Sequence, residues 1–324
     1  MVELGYALSS EELPAPALVD CARRAEEVGF GFALVSDHFH PWLDVQGESP
    51  FVWSTIGAVS QATDSLILGT GVTCPTMSLH PAIVAQAAAT SAQLLPGRFF
   101  LGVGTGENLN EHVLGDRWPG HEERLEMLEE AIGVIRELWE GGLVTHRGRH
   151  YTVDRARLYS LPDKLPPIAV AAGGPHAAEL AGRIGDALIA TAPDPDLVKA
   201  FERAGGAGKP RYGQLTVCYA EDEDDAVQTA FEQWPNAGLG GELGQELPLP
   251  RHFGQACETL TPDQVAEKIV CGPDAGRHRE AISEFEQAGF DHVYVHQVGA
   301  DQGPFFEFYE REILTALQPA EQRN

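Results

Sequence analysis

Short β-rich runs alternate along nearly the whole chain with longer runs whose apolar positions recur every three to four residues. The short runs predict strands over 2–8, 32–36, 66–73, 98–103, 167–171, 187–191, 213–219 and 291–298. The longer ones predict helices such as 15–28, 81–95, 121–140, 175–184 and 275–288. Two of these helices run into a glycine, at "EEVGF" and "EQAGF", a common way for a helix to stop. Eight strands, each followed by a helix, predict an α/β chain closed into a (β/α)8 TIM barrel. An open, doubly wound sheet is the alternative, but no GxGxxG opens the first helix.

Two intervals are too long for plain connections. Residues 143–163 read as a hairpin-like excursion, and residues 234–260 are rich in Gly, Pro and Leu with little periodicity. Barrel insertions of this length tend to form lids or substrate walls. No linker divides the chain, so residues 1–324 read as one domain carrying these two insertions.

Composition narrows the function classes. The chain has 324 residues, 43% of them hydrophobic, which is enough to bury a core without staples. Five cysteines with no CxxC pair read as reduced cytosolic thiols. The N-terminus lacks the basic and apolar regions of a signal peptide, and the apolar stretch "PAIVAQAAATSAQLL" is too short and too interrupted to span a bilayer. A cytoplasmic protein is the expectation. The net charge of −26 repels nucleic acid and anionic membranes, leaving a small molecule as the expected partner. That charge also suits a medium in which salt screens repulsion, so a halophilic source is expected.

In a barrel, chemistry gathers where strands end and βα loops begin. Strand two ends in "SDHFHPW", residues 36–42, and strand three in Thr70-Gly71-Val72-Thr73. Strand four runs into Gly104, Gly106, Glu107, Asn108 and Asn110, strand five into Ala172-Gly173-Gly174-Pro175, and strand eight into His296-Gln297. His38 and His40 share a face of an extended run and suggest a metal pair, as in a metal-dependent barrel hydrolase. The further ligands such a centre needs are missing from the other strand ends, so no metal is assigned. Taken alone, His38 also reads as a hydrogen-bonded loop histidine, Glu107 as a carboxylate at a helix start, and Gly173-Gly174 as a tight turn. Together, glycines at three strand ends suit a flat ligand approached by backbone, with a phosphate near amides. A carboxylate, an imidazole and an indole around such a ligand make an acid–base site.

The segments "SDHFHPW", "LGTGVTCPT", "FLGVGTGENLNE" and "VAAGGP" resemble, in order and spacing, the luciferase-like family of flavin and deazaflavin oxidoreductases. The resemblance is greatest to its branch of F420-dependent glucose-6-phosphate dehydrogenases and runs from Gly5-Tyr6 to about residue 300. It implies a (β/α)8 barrel, a homodimer, and coenzyme F420 as cofactor. It further implies that Asp37 and His38 stand beside the deazaflavin and that Gly71-Val72 matches a non-prolyl cis peptide behind the ring. Gly106, Glu107 and Asn110 would line the ring, and Ala172, Gly173 and Gly174 the phosphate-bearing tail. A deazaflavin exchanges hydride at C5. In the family model His38 is the base for the substrate hydroxyl, Glu107 manages the proton at the N1 edge, and Trp42 shapes the substrate side. Glu11 matches a further acidic residue near that pocket.

The chain departs from its sugar-phosphate relatives in charge. Where they place a lysine after strand six, the sequence reads "TAPDPD", with Asp194 and Asp196 and no cation before Lys199. The later segment keeps Arg251 and His252, which are assigned to substrate binding. A dianion beside two aspartates loses Coulomb energy, so a neutral alcohol, aldehyde or sugar is expected instead of a sugar phosphate. Arg277, His278 and Arg279 would restore a phosphate site if the fold brought them round. An FMN-dependent monooxygenase on the same barrel is the alternative reading. A binding protein without turnover is a further one, against which His38, Trp42 and Glu107 speak.

Overall fold

Alternation within the strands builds the architecture. The computed structural model describes residues 2–317. Its main sheet contains β1 (Glu3–Leu8), β2 (Phe32–Val35), β3 (Ile67–Thr70), β4 (Phe99–Val103), β5 (Ile168–Ala171), β6 (Ala187–Ala190), β7 (Arg211–Cys218) and β8 (His292–Gln297). Each pairs in parallel with the next, and β8 returns to β1 through Glu3 opposite His292. The sheet is a closed (β/α)8 barrel.

Side chains two apart on a strand face the same way. In β2, Phe32 and Leu34 point into the barrel, while Ala33 and Val35 join the layer under the helices. In β6 the same split separates Ala187 and Ile189 from Leu188 and Ala190. Phe32 fills the space that Gly5 leaves: a Cβ at Gly5 would lie 2.4 Å from its ring. Burying a side chain of this size stabilises by about 1.5–3 kcal/mol.

The helices match their expected spans closely, at Ala15–Val28, Pro81–Leu94, His121–Trp139, Pro175–Ile184 and Ala275–Ala288. Gly29 and Gly289 end two of them in the left-handed region, at φ 104° and 100°. Strand three is shorter than expected. Its ladder stops at Thr70, the Gly71–Val72 peptide is cis, and Thr73 makes only an isolated bridge to Val103.

The first insertion holds the antiparallel strands Val144–Arg147 and Thr152–Ala156, as its hairpin-like pattern suggests. The second is more regular than its sequence implies, with short helices at Pro235–Gly238, Leu243–Glu246 and Pro250–Cys257. Among the described residues no helix is long and apolar enough to cross a membrane.

Candidate active site

A cavity of about 810 Å³ opens at the C-terminal ends of the barrel strands. It takes Glu11 from the loop after β1, His38 and Trp42 from the loop after β2, and Gly71 and Val72 from the end of β3. Gly106 and Glu107 follow β4, and Ala172, Gly173 and Gly174 follow β5. The structure therefore brings ten of the sequence-expected residues around one space.

His38 sits against Glu11. Its Nδ1 lies 3.1 Å from Glu11 Oε1, and the two side chains are only 9% and 4% exposed. The contact is an ion-pair approach without hydrogen-bond alignment, since Nδ1 has no hydrogen-bond partner. Ser36 donates its hydroxyl to Glu11 Oε2 at 2.7 Å. Burial pushes the Glu11 carboxyl up, but the His38 imidazole and the Ser36 hydroxyl together hold it below the usual range. Trp42 packs edge-on against the His38 ring at 5.2 Å and against Phe253 at 5.3 Å, so the helix Pro250–Cys257 braces the indole.

Asp37 and Asn110 do not line the cavity; they support it from behind. Asp37 accepts a 2.6 Å hydrogen bond from Thr73 Oγ1. Burial, aided by the Glu107 charge, raises its carboxyl to about 6 against the pull of Thr73 and His38. Asn110 Oδ1 accepts from the N–H groups of both Phe39 and His40. Asp37 thus turns to the end of β3 and Asn110 Oδ1 to the loop after β2, while Asn110 Nδ2 is buried without a hydrogen-bond partner.

Arg251 and His252, expected at the substrate, stand apart from the other site residues. Both lie outside the cavity lining, with Arg251 Nε near His252 Nε2 at 3.5 Å. On the helix Pro250–Cys257 the buried positions are Phe253 and Cys257, one turn apart, which leaves 251 and 252 off the inner face. Asp194 and Asp196 are also elsewhere: Asp194 caps the helix Pro195–Phe201, and Asp196 pairs with Lys199 at 2.8 Å. Nor do Arg277, His278 and Arg279 come round. Arg277 pairs with Glu223, His278 is buried against Tyr309 and Gly272, and Arg279 donates to the Glu312 carbonyl. His40 turns its Nδ1 to the Leu109 carbonyl at 2.9 Å, and among the described residues no group of three or more His, Cys, Asp or Glu could hold a metal ion.

Several lining residues escaped the sequence reading. Arg124 is 1% exposed, with Nη1 on the Pro119 carbonyl at 2.7 Å and Nη2 on Gln245 Oε1 at 2.9 Å. Its place one turn into a long helix gives it no distinguishing signal. Trp234, Asn236, Glu242, Gln245 and Glu246 come from the second insertion and close one wall. His296 follows from the strand-end rule, whereas its buried partner Glu12, 2.9 Å away, does not.

The lining fits a flat cofactor with a phosphate tail. A Cβ at Gly173 or Gly174 would meet no protein atom within 4 Å, so both open on free space beside the helix start at Pro175. Gly71 and Val72, joined by the cis peptide, line the same cavity.

The luciferase-like monooxygenase family model matches residues 2–292. The chain belongs to the luciferase-like family. Among its members, an F420-dependent glucose-6-phosphate dehydrogenase of Microbacterium testaceum is 36% identical over 330 residues, 98% of either chain. That of Mycobacterium tuberculosis strain H37Rv is 35% identical over 332 residues, again 98% of each. A solved F420-dependent secondary alcohol dehydrogenase, bound to an F420–acetone adduct, superposes with a TM-score of 0.91 at 31% identity. That match covers 98% of this chain and 99% of the other.

Proposed function

We propose that this F420-dependent oxidoreductase oxidises, or forms in reverse, a neutral alcohol or sugar carbon, with His38 as the base. The observation that carries the reading is the His38–Glu11 pair on the wall of a cavity that Trp42 and Glu107 share. Coenzyme F420, when bound, supplies a hydride-exchanging carbon. Gly71, Val72, Gly106 and Glu107 would hold its ring, and Ala172, Gly173 and Gly174 its tail. His38 takes the hydroxyl proton while Glu11 keeps the imidazole oriented and stabilises its charged form. Trp42 limits the His38 ring to one orientation and shields the substrate side from water. Glu107 would exchange a proton with the edge of the ring.

The charge of the lining supports a neutral substrate. Four glutamates, Glu11, Glu107, Glu242 and Glu246, face the cavity against three histidines, His38, His121 and His296, and a single arginine, Arg124, already occupied by Pro119 and Gln245. Asp194 and Asp196 are not part of this lining, whereas the four glutamates are. The names of the curated relatives favour a second reading, a sugar phosphate, and the alcohol dehydrogenase named above favours the first.

Binding of F420 and of FMN, followed by fluorescence, comes first. Tight FMN binding without F420 binding would sink the cofactor assignment. Loss of F420 absorbance is then compared for secondary alcohols, glucose and glucose-6-phosphate. The neutral reading expects alcohols or glucose to give the larger kcat/KM. A larger value for glucose-6-phosphate establishes the sugar-phosphate reading instead.

A further inference from the structure

Two adjacent glutamates each hold a buried histidine at the same cavity. Glu11 faces His38, and Glu12 Oε2 lies 2.9 Å from His296 Nε2 with both side chains under 4% exposed. The two pairs are joined. Ser9 Oγ lies 3.1 Å from Glu11 Oε2 and 3.0 Å from Glu12 Oε2. A hydroxyl has one hydrogen, so Ser9 serves only one of these carboxylates at a time. Glu12 Oε1 is held separately by the Gly299 N–H at 2.8 Å, and His296 Nδ1 has no partner although the residue lines the cavity.

We propose that Ser9, Glu12 and His296 are positioning residues that set the basicity of the His38–Glu11 pair through the single hydrogen of Ser9. This rests on His38 acting as the base. When Ser9 donates to Glu11, it drains negative charge from the carboxylate that must stabilise a protonated His38. When it turns to Glu12, Glu11 Oε2 keeps only the Ser36 hydroxyl and His38 holds a proton more strongly. The state of the second pair decides which way the hydroxyl points: Glu12 without a donor from His296 draws the hydrogen to itself. No bond other than O–H···O contacts changes and no electron moves, so the device stores nothing and only redistributes one hydrogen.

The surroundings of the pairs are few in charge. The Asp37 carboxyl interacts with His38 and with Glu107, and His296 interacts with Glu11. The Tyr6 hydroxyl and the Cys218 thiol face Glu12, and both are pushed up by burial, which keeps them neutral. Trp234 covers the His296 ring edge-on at 4.4 Å.

The test is the titration of the two imidazoles, followed by NMR in protein labelled at histidine nitrogen and free of cofactor. Glu12→Gln removes a nearby charge and confines the Ser9 hydrogen to Glu11, so the His38 midpoint falls. Ser9→Ala leaves Glu11 Oε2 with the Ser36 hydroxyl as its one remaining side-chain donor, so the midpoint rises. His296→Gln leaves Glu12 dependent on Ser9 and moves it the same way as Ser9→Ala. Shifts of about one pH unit are expected for groups coupled this directly. Opposite signs for Glu12→Gln and Ser9→Ala are what disordered packing does not produce. Shifts of the same sign, or none, overturn the proposal. The F420 titration is a separate measurement: its failure removes the functional reading while leaving the coupling of the histidines to stand or fall by itself.

Discussion

Asn110 Oδ1 accepts hydrogen bonds from two successive backbone N–H groups, those of Phe39 and His40, each at 2.9 Å. One side chain from the loop after β4 thus fixes the loop after β2, and with it the placement of His38 between Glu11 and Trp42. Asn110 is 4% exposed, and its loss leaves both N–H groups without their side-chain acceptor. Asn110→Ala is expected to cost about 2 kcal/mol of stability and to lower kcat more than cofactor affinity. Urea unfolding and steady-state kinetics check both. A variant with full kcat would mean that the loop holds His38 without help.

Glu111 lies behind the same motif, its Oε2 accepting the Ser78 N–H at 2.9 Å. Gly106 makes room for it, with φ +81° and a Cβ position only 2.6 Å from Glu111 Cγ. Burial raises the Glu111 carboxyl to about 7, helped by the Glu107 and Asp37 charges. The sign follows from linkage. Below the unfolded value of about 4.5 both states are protonated and nothing is lost. As pH rises, the unfolded chain ionises freely while the folded one resists, so this residue erodes stability until pH passes about 7. Glu111→Gln keeps an acceptor for Ser78 and removes the ionisation. It should therefore gain on the wild type between pH 5 and pH 8. A difference in unfolding free energy that stays flat with pH contradicts the assignment.

The barrel was legible because each of its strands is a short apolar run between helices of clear period, as β2 and β6 show by splitting their side chains between two cores. The site was legible where it follows strand ends, which is why Glu11, His38, Gly71 and Gly173 meet at one cavity. It failed where chain position and side-chain direction part company. Asp37 and His38 are neighbours, yet one turns to Thr73 and the other to Glu11. Arg251 and His252 look available in sequence, but the four-residue spacing of Phe253 and Cys257 decides which face of their helix turns inward. Residues 234–246 gave no periodic signal because their helices are a single turn long, below the length at which pattern or propensity alone defines a helix.

Glu26 closes a turn far from the site. Its carboxylate accepts the N–H groups of Asp64, Ser65 and Leu66, together with the Ser65 hydroxyl. Burial opposes ionisation, but these donors outweigh it and hold the carboxyl down at about 2. Its stabilising contribution is complete above the unfolded carboxyl value and disappears as pH falls toward about 2. Glu26→Ala should cost about 1.5 kcal/mol at neutral pH, with the gap from wild type narrowing at pH 3. Denaturant midpoints at the two pH values read the effect, and a gap that widens in acid would rule out the carboxylate as its source.

Arg124 ties the insertion to the barrel, and its removal separates structure from chemistry. The guanidinium stacks 4.2 Å from the Trp118 ring centre, donates to Pro119 and Gln245, and stands 3.6 Å from Glu246. Burial lowers its pKa, and Glu246 pulls the other way. Arg124→Met keeps much of the packing but leaves Gln245 and Glu246 without their cation, so the wall from 243 to 246 loses its anchor. Loss of these charge-assisted bonds should cost about 2–3 kcal/mol of stability. It should also raise KM while changing kcat little, because His38 and Glu11 are not touched. Arg124→Lys keeps the charge without the planar fork and should recover only part of either effect. Equal KM values for wild type and Arg124→Met would show that the wall stands without this anchor.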